Sequence, residues 1–166
     1  MKTLIVVRHA KSSWNDPDMK DHDRPLNERG KKDAPAMAKR LQKSGILVDL
    51  FLSSTALRAR STAKHFANEF DAGKKQFVLE EKLYLATPEV MYKVISKLSD
   101  QYKAVAIFSH NPGITDFVNT LSPVRVDDMP TCAIYAITAN TDTWAAFEKA
   151  EKHFLFFDYP KHLSGS

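Results

Sequence analysis

Two histidines and two arginines stand close to the ends of apolar runs, where their chemistry can be combined. Arg8 and His9 close the first such run, and His110 closes a later one. Arg58 lies shortly after another apolar run, residues 48–53, which falls between these two along the chain. A guanidinium group is planar and always charged, so it can hold two phosphoryl oxygens at once. A neutral histidine can attack phosphorus, and a protonated one can stabilise charge on the transferring group. These residue types predict a phosphoryl-transfer site that needs no metal ion.

None of these residues is diagnostic by itself. An Arg-His pair after a strand is usually a surface pair, and Arg58 alone would be a solvated helix charge. Residues 109–113, Ser-His-Asn-Pro-Gly, read alone as a turn. Ligands of open α/β sheets bind beyond the carboxyl ends of the strands. The prediction therefore requires that all three runs are strands of one sheet.

Buried strands are predicted wherever a short apolar run rich in β-branched residues occurs. A hairpin is expected near the C-terminal end, where the turn-like residues 139–142 would join the last strands as an antiparallel pair at one edge. A sixth strand is expected within residues 144–150, with residues 154–157 pairing near it. The other expected strands cover residues 3–8, 48–53, 76–80, 104–109 and 132–138.

Helical spacing fills the segments between these runs. In the first segment, Asp33 is expected to cap the helix, with Pro35 in its first turn and Gly45 as its C-terminal stop. Thr87 is expected to cap the third helix. The second, third and fourth helices are predicted over residues 56–70, 88–98 and 113–121.

The alternating order of strands and helices predicts the α/β class. Buried strands joined by helices form mostly parallel sheets that are covered on both faces. We therefore expect a three-layer αβα sandwich with a mostly parallel central sheet and an antiparallel edge strand. A length of 166 residues suits one domain, and no linker divides the chain, so a single domain over residues 1–166 is expected.

Composition and charge restrict the class of protein. The chain is 43% hydrophobic and 27% charged, which is typical of a globular protein, and its one cysteine, Cys132, excludes an intramolecular disulfide. No apolar run approaches the roughly 18–20 residues of a membrane span, and the first run is too short for a signal peptide. We expect a cytoplasmic monomer with no membrane partner. The net charge of +4 favours anionic partners, but the lysines are scattered and no nucleic-acid partner is expected.

These motifs, in this order, resemble the histidine phosphatase superfamily, which has the phosphoglycerate mutase-like fold. Residues 8–10, Arg-His-Ala, are similar to its Arg-His-Gly signature. Residues 53–63 are similar to its Ser-x-x-x-Arg-x-x-x-Thr-Ala block, and residues 24–30 resemble its Leu-Thr-x-x-Gly region. Residues 109–113 resemble its second-histidine block, and with the small size they look most like the SixA-type phosphohistidine phosphatases.

The resemblance implies a role for each of the chemical residues. His9 would be the nucleophile that becomes phosphohistidine. Arg8 and Arg58 would bind the phosphoryl oxygens. His110 would complete the phosphate pocket and stabilise the transition state, and Asn15 would make a further phosphate contact. The resemblance implies no metal or other cofactor.

Two departures from the family pattern bear on the mechanism. Ala10 replaces the glycine of the signature, which puts in question any need for a positive φ there. No clear counterpart of the glutamate acid of the mutase branch is present. A site without an acid suits the P–N bond of phosphohistidine better than an ester, because imidazole is a good leaving group. If loop closure supplies an acid, the candidates are Asp21, Asp23 and Glu81, and the polar loop over residues 12–23 would form a rim.

The expected function is thus a metal-independent phosphatase with a covalent phosphohistidine intermediate, acting on phosphohistidine of a signalling protein. One alternative keeps the enzyme and changes its substrate to a sugar phosphate or a nucleotide. Another alternative is an inactive phosphate-binding interaction module. The expected partner is a phosphorylated protein or a small phosphorylated substrate.

Overall fold

Strands and helices alternate along the chain, as expected for the α/β class. The computed structural model describes residues 1–162, and residues 163–166 of the C-terminal tail lie outside the described part. The strands are β1 (Lys2–Arg8), β2 (Leu50–Ser53), β3 (Phe77–Leu79), β4 (Ala104–Ser109), β5 (Ile134–Ala139) and β6 (Lys152–Asp158). The α-helices are α1 (Glu28–Lys43), α2 (Leu57–Glu69), α3 (Pro88–Ser96) and α4 (Gly113–Val118). Short 3₁₀ helices occupy Asp21–Asp23, Lys74–Gln76 and Glu81–Leu83.

The strands form one sheet in the order β3-β2-β4-β1-β5-β6. Strands β1 to β4 run parallel to one another, whereas β5 is antiparallel to both β1 and β6. The register pairs Arg8 of β1 with Ser109 of β4, and Ser53 of β2 with Phe108 of β4. The carboxyl ends of β1, β2 and β4 therefore meet at one edge. This arrangement confirms the predicted mostly parallel sheet with an antiparallel pairing at one side.

Hydrophobic cores cover both faces of the sheet. Alternate residues of β1 divide between them, since Leu4 and Val6 pack with residues of α3 and α4, and Ile5 and Val7 pack with residues of α1 and α2. A strand that is buried on both faces explains the uninterrupted apolar run Leu-Ile-Val-Val. The result is the predicted three-layer αβα sandwich. Among residues 1–162, no helix is both long enough and apolar enough to span a bilayer.

Helix α1 begins at Glu28, so the prediction of Asp33 as its N-cap is wrong. The cap is Asn27, whose side-chain oxygen accepts a hydrogen bond from the Gly30 backbone N–H at 2.9 Å. The first turn packs closely on the loop after β1, because a Cβ at Gly30 would overlap the carbonyl oxygen of Lys11. Only Gly30 is buried in this polar turn, and a glycine adds nothing to an apolar period. The apolar spacing therefore begins several residues after the helix itself begins, and for this reason the predicted start of the helix was too late.

The other predicted helix ends lie close to those observed. Gly45 follows α1 with a φ of +86°, the left-handed conformation expected of a C-terminal stop. Thr87 accepts a hydrogen bond from the Val90 backbone N–H and caps α3 as predicted. Pro35, which was expected in the first turn, lies inside α1, where it removes one backbone hydrogen bond.

The sixth strand is not where the pattern placed it, because residues 144–150 form turns and β6 comes after them. Trp144 and Phe147 are both buried, at a spacing that a strand would place on opposite faces. The turn is held by Trp144, which donates its backbone N–H to Asp100 Oδ1 and its indole N–H to the Tyr102 carbonyl oxygen. The predicted antiparallel hairpin does form between β5 and β6, but through this longer connection.

Candidate active site

A cavity of about 440 Å³ opens at the carboxyl edge of the parallel strands. It is built by the loop after β1, the 3₁₀ segment before α1, the start of α2 and the loop after β4. The four residues that were predicted at the strand ends all lie in its wall. The lining residues are Arg8, His9, Lys11, Ser12, Trp14, Asp21, Arg24, Arg58, Leu85, His110, Asn111 and Thr131.

His9 follows β1 directly and is 6% exposed. Its imidazole Nδ1 lies 2.7 Å from the Ala10 carbonyl oxygen. Since a carbonyl oxygen can only accept, Nδ1 carries the proton and Nε2 keeps its lone pair. Burial is the main reason that the pKa of His9 falls from its usual 6.5 to about 3, and the charges of Arg58 and Arg8 also act against protonation. His9 is therefore neutral near pH 7 and is able to act as a nucleophile.

His110 stands beside His9, with the two imidazole centroids 5.1 Å apart. Its Nε2 pairs with Ser54 Oγ at 2.7 Å, and its buried Nδ1 has no hydrogen-bond partner among the described residues. Burial lowers the pKa of His110 to about 2, and two repulsions add to it, one from the charge of Arg58 and one from His9 once His9 is itself protonated at low pH. Burial is thus the main reason that this imidazole is neutral, whereas a bound phosphoryl dianion would raise its pKa.

The two predicted arginines hold guanidinium donors in the cavity wall. Arg8 Nη1 donates to the Met129 carbonyl oxygen at 2.7 Å. Arg58 donates through Nη1 to the backbone oxygen of Asp21 at 2.7 Å and through Nη2 to its carboxylate at 3.0 Å. The buried Nε atoms of both arginines have no hydrogen-bond partner within residues 1–162. A buried donor without an acceptor costs free energy, so both groups are prepared for an anionic ligand.

A third guanidinium group, that of Arg24, lines the cavity and was not predicted. Arg24 is 6% exposed and donates through Nη2 to Ser12 Oγ at 2.8 Å. Its Cζ lies 3.4 Å from the ring centroid of Trp14. The Nε and Nη1 atoms are buried and have no hydrogen-bond partner in the described part of the chain. The sequence held one signal for Arg24, which is its place at the start of the block over residues 24–30. Arg24 was missed because it reaches the cavity from a loop and not from a strand end.

Asp21 is the one carboxylate among the described residues that line the cavity. Its Oδ2 accepts hydrogen bonds from the Tyr84 hydroxyl at 2.6 Å and from Arg58 Nη2 at 3.0 Å. Burial raises the pKa of Asp21, but the hydrogen bonds from Tyr84 and Arg58 and the nearby Arg24 charge outweigh burial, so the pKa lies below its usual range. Asp21 is therefore ionised and does not suit the role of a proton donor.

The remaining predicted residues lie outside the cavity wall. Asp23 and Glu81, the other acid candidates, are exposed and are not lining residues. Asn15 is also exposed, so the structure does not bring it together with the other four residues. The loop over residues 12–23 does contribute to the cavity wall, through Ser12, Trp14 and Asp21.

Backbone contacts hold the loop that carries His9. The Ala10 N–H donates to Thr62 Oγ1 at 2.9 Å, which ties the loop to α2. The Cys132 N–H lies 3.1 Å from the Arg8 carbonyl oxygen and 3.0 Å from that of His9, and Cys132 itself has a φ of +63°. Ala10, in the place of the signature glycine, is not among the positive-φ residues of the described part. Alanine is therefore accommodated there without backbone strain.

Sequence comparison identifies the family to which this fold belongs. Residues 4–84 match the profile of the histidine phosphatase superfamily, branch 1. A chloroplastic, uncharacterized protein of Arabidopsis thaliana is 32% identical over 151 residues, which cover 86% of this chain and 69% of that protein. The chain belongs to the histidine phosphatase superfamily.

Solved structures share the fold over nearly the whole chain. A protein from Agrobacterium tumefaciens assigned as a phosphohistidine phosphatase SixA superimposes with a TM-score of 0.80 at 23% identity, over 96% of this chain and 98% of that one. A mycobacterial glucosyl-3-phosphoglycerate phosphatase in complex with VO3 superimposes with a TM-score of 0.73 at 14% identity, over 96% and 100% of the two chains. At these identities the likeness concerns the fold, which is that of the phosphoglycerate mutase-like phosphatases.

Proposed function

We propose that this phosphatase hydrolyses phosphohistidine on a protein in two steps, through a phosphorylated His9. The observation that supports the proposal most is the state of His9. Its Nδ1–H is held by the Ala10 carbonyl oxygen, which leaves Nε2 unprotonated, and its pKa of about 3 keeps the ring neutral. The same cavity holds the guanidinium groups of Arg8 and Arg58, which suit the oxygens of a phosphoryl group.

In the first step, His9 Nε2 attacks phosphorus in line with the substrate's P–N bond. The Nε2–P bond forms, and the P–N bond breaks with its electron pair going to the substrate imidazole. His9 keeps its Nδ1 proton, so its phosphorylated ring is cationic. Arg8, Arg58 and His110 hold the equatorial oxygens. Because the transition state of phosphoryl transfer is loose, positioning and charge supply most of the catalysis.

In the second step, water attacks the phosphorus of the phosphorylated His9. The Nε2–P bond breaks, and its electron pair returns to Nε2. The water supplies a hydroxyl group to phosphorus, and its other proton ends on a phosphate oxygen, so dihydrogen phosphate leaves and His9 is regenerated in its neutral form. His110 donates a hydrogen bond from its ring N–H to a phosphoryl oxygen in both steps and gains or loses no proton overall.

The choice of substrate rests on the leaving group and on the open mouth of the cavity. Ester cleavage benefits from an acid that protonates the departing alkoxide, but Asp21 is ionised. A substrate ring that is cationic before the reaction leaves as neutral imidazole and needs no such acid. Trp14 and Leu85 in the cavity wall are 76% and 55% exposed, which suits a phosphorylated side chain on a protein surface.

The nucleophile is tested by quenching the reaction in alkaline detergent, which preserves phosphohistidine, and measuring the phosphoenzyme in wild type and His9→Ala. The wild-type chain should form an acid-labile phosphoenzyme in a burst. His9→Ala should form none and should lose turnover by about three orders of magnitude or more. His153→Ala, on the exposed part of β6, is the matched control and should behave as wild type. Wild-type turnover in His9→Ala would sink the proposal, and a wild-type chain without a burst would favour the inactive binding module.

A second candidate is a small phosphomonoesterase acting on a sugar phosphate or a nucleotide. The fold that this chain shares with glucosyl-3-phosphoglycerate phosphatase favours it. A substrate panel separates the two candidates, because a higher kcat/KM on a phosphohistidine protein supports the first and a higher value on phosphate esters supports the second. The single domain over residues 1–166, the monomeric state and the cytoplasmic location stay predictions.

A further inference from the structure

Asp21 is unexpected in a cavity that binds an anion. The charged groups of its described wall are Lys11, three arginines, and this one carboxylate. A carboxylate near a phosphoryl group repels it, and the repulsion is strong where water is excluded. The place of Asp21 is therefore informative about the part of the substrate that is not phosphate.

The two carboxylate oxygens of Asp21 have different surroundings. Oδ2 accepts hydrogen bonds from the Tyr84 hydroxyl and from Arg58 Nη2. Oδ1 lies 3.4 Å from Arg24 Nε. That contact is an ion pair without a hydrogen bond, because Arg24 Nε has no hydrogen-bond partner among the described residues. Oδ1 therefore retains lone pairs that a ligand can use.

Asp21 lies nearer the solvent than the groups that would hold the phosphoryl oxygens. Its side chain is 43% exposed, whereas that of Arg58 is 4% exposed. His9 and His110 are also buried. A substrate whose phosphoryl group sits among these buried side chains has its leaving group toward the mouth of the cavity, where Asp21 is.

We propose that Asp21 Oδ1 accepts a hydrogen bond from the leaving imidazole and so selects phosphohistidine over phosphate esters. This inference rests on the function proposed above and assigns the group that recognises the leaving nitrogen ring. One ring nitrogen of the substrate is bonded to phosphorus, and the other carries a proton in the reactive cationic form. The carboxylate stabilises that N–H and the positive charge of the ring. A departing alkoxide would instead gain negative charge beside Asp21.

The protons and electrons balance without a proton from Asp21. The P–N bond breaks, and its electron pair stays with the substrate ring. The ring was cationic and leaves as neutral imidazole, with the distal N–H unchanged. Phosphorus becomes bonded to His9 Nε2. Asp21 remains a carboxylate throughout, which agrees with its hydrogen bonds from Tyr84 and Arg58.

A role limited to positioning predicts a different result. Asp21 also holds Arg58, and if that were its whole role, loss of its charge would slow the reaction of every phosphorylated substrate alike. The ratio of the kcat/KM values on two substrates separates these roles. Because both values are measured on one sample, the ratio does not depend on the folded fraction of a variant.

The experiment compares Asp21→Asn with wild type on phosphoimidazole and on phenyl phosphate. The amide oxygen of asparagine can still accept hydrogen bonds from Tyr84 and Arg58, but it has no negative charge. We expect kcat/KM on phosphoimidazole to fall about 10- to 100-fold, as for one lost hydrogen bond between charged groups. The value on phenyl phosphate should stay the same or rise, because its departing phenolate no longer gains negative charge beside a carboxylate. Asp23→Asn is the matched control, since its side chain is 61% exposed and lies outside the lining, and it should leave both values unchanged.

Equal losses on the two substrates would overturn the inference and would make Asp21 a positioning residue for Arg58. The pH profile of kcat on phosphoimidazole gives a second readout. Its alkaline fall, where the bound ring loses its proton, should move to lower pH in Asp21→Asn, and an unmoved profile would contradict the proposed contact. Failure of the proposed function looks different, because the wild-type chain would then hydrolyse phenyl phosphate but neither phosphoimidazole nor a phosphohistidine protein.

Discussion

Thr62 connects helix α2 to the loop that carries His9 through a single hydroxyl group. Its Oγ1 accepts a hydrogen bond from the Ala10 N–H at 2.9 Å and donates to the Arg58 carbonyl oxygen at 2.8 Å, and its side chain is fully buried. Ala10 in turn supplies the carbonyl oxygen that holds the Nδ1–H of His9. Thr62→Val keeps the shape of the side chain and removes the hydroxyl, so the buried Ala10 N–H would lose its acceptor.

The size of the effect follows from these contacts. A buried donor without an acceptor costs about 1–3 kcal/mol. The Arg58 carbonyl oxygen loses less, because it also accepts a backbone N–H within the helix. The methyl group that replaces the hydroxyl recovers about 0.8 kcal/mol. We expect Thr62→Val to lower the free energy of unfolding by about 1–2 kcal/mol. At an m-value of about 2 kcal/mol per molar, the urea midpoint should fall by about 0.5–1 M.

Urea unfolding followed by circular dichroism measures the stability, and steady-state kinetics measures the effect on His9. Because the His9 ring is held through Ala10, kcat should fall about tenfold in Thr62→Val. Thr62→Ser is the matched control, since it loses a methyl group but keeps the hydroxyl, and its kcat should stay within about twofold of wild type. An unchanged midpoint in Thr62→Val, or equal losses of kcat in the two variants, would refute the reasoning.

Other contacts around the cavity lead to further measurable outcomes. Gly113→Ala should lower the free energy of unfolding by about 3 kcal/mol, because a Cβ there would overlap the Ala86 carbonyl oxygen; a wild-type midpoint in urea would contradict this contact. His9 and His110 are held neutral by burial, with pKa values of about 3 and 2, so their imidazole NMR signals should not titrate between about pH 5 and 8. Imidazole signals that titrate near pH 6.5 would argue against this burial. In the unfolded chain both histidines have a pKa of about 6.5. The stability that comes from their neutral rings is therefore present above about pH 6.5 and is lost as the pH falls. Arg24→Gln should weaken competitive inhibition by vanadate about tenfold, because one charged donor to the oxyanion is lost, and an unchanged inhibition constant would remove Arg24 from the anion site.

Much of the site could be predicted because parallel strands bring their carboxyl ends to one edge of a sheet. Arg8 ends β1, and His9 and His110 directly follow β1 and β4. The register places Arg8 beside Ser109. Arg58 lies on the first turn of α2, just after β2. The order of elements along the chain is therefore sufficient to bring these four residue types together.

Side chains that reach the cavity from loops could not be predicted in the same way. Arg24 and Asp21 belong to polar segments without an apolar period, so the sequence around them indicates only exposed loop. Their positions are set by partners elsewhere in the chain, among them Tyr84, which hydrogen-bonds to Asp21 across 63 positions. The buried Trp144 was assigned to a strand for a similar reason, since its hydrogen bond to Asp100 spans 44 positions.

Hydrophobic periodicity was thus enough to specify the α/β class, the mostly parallel sheet and the strand ends at which His9 and His110 emerge. These features depend on the alternation of neighbouring residues, which is local information. The ionisation states of the site came from the folded arrangement alone. His9 is neutral because it is buried among guanidinium groups, and Asp21 is charged because Tyr84 and Arg58 donate to it. Desolvation and Coulomb interactions depend on distance in space and not on separation along the chain.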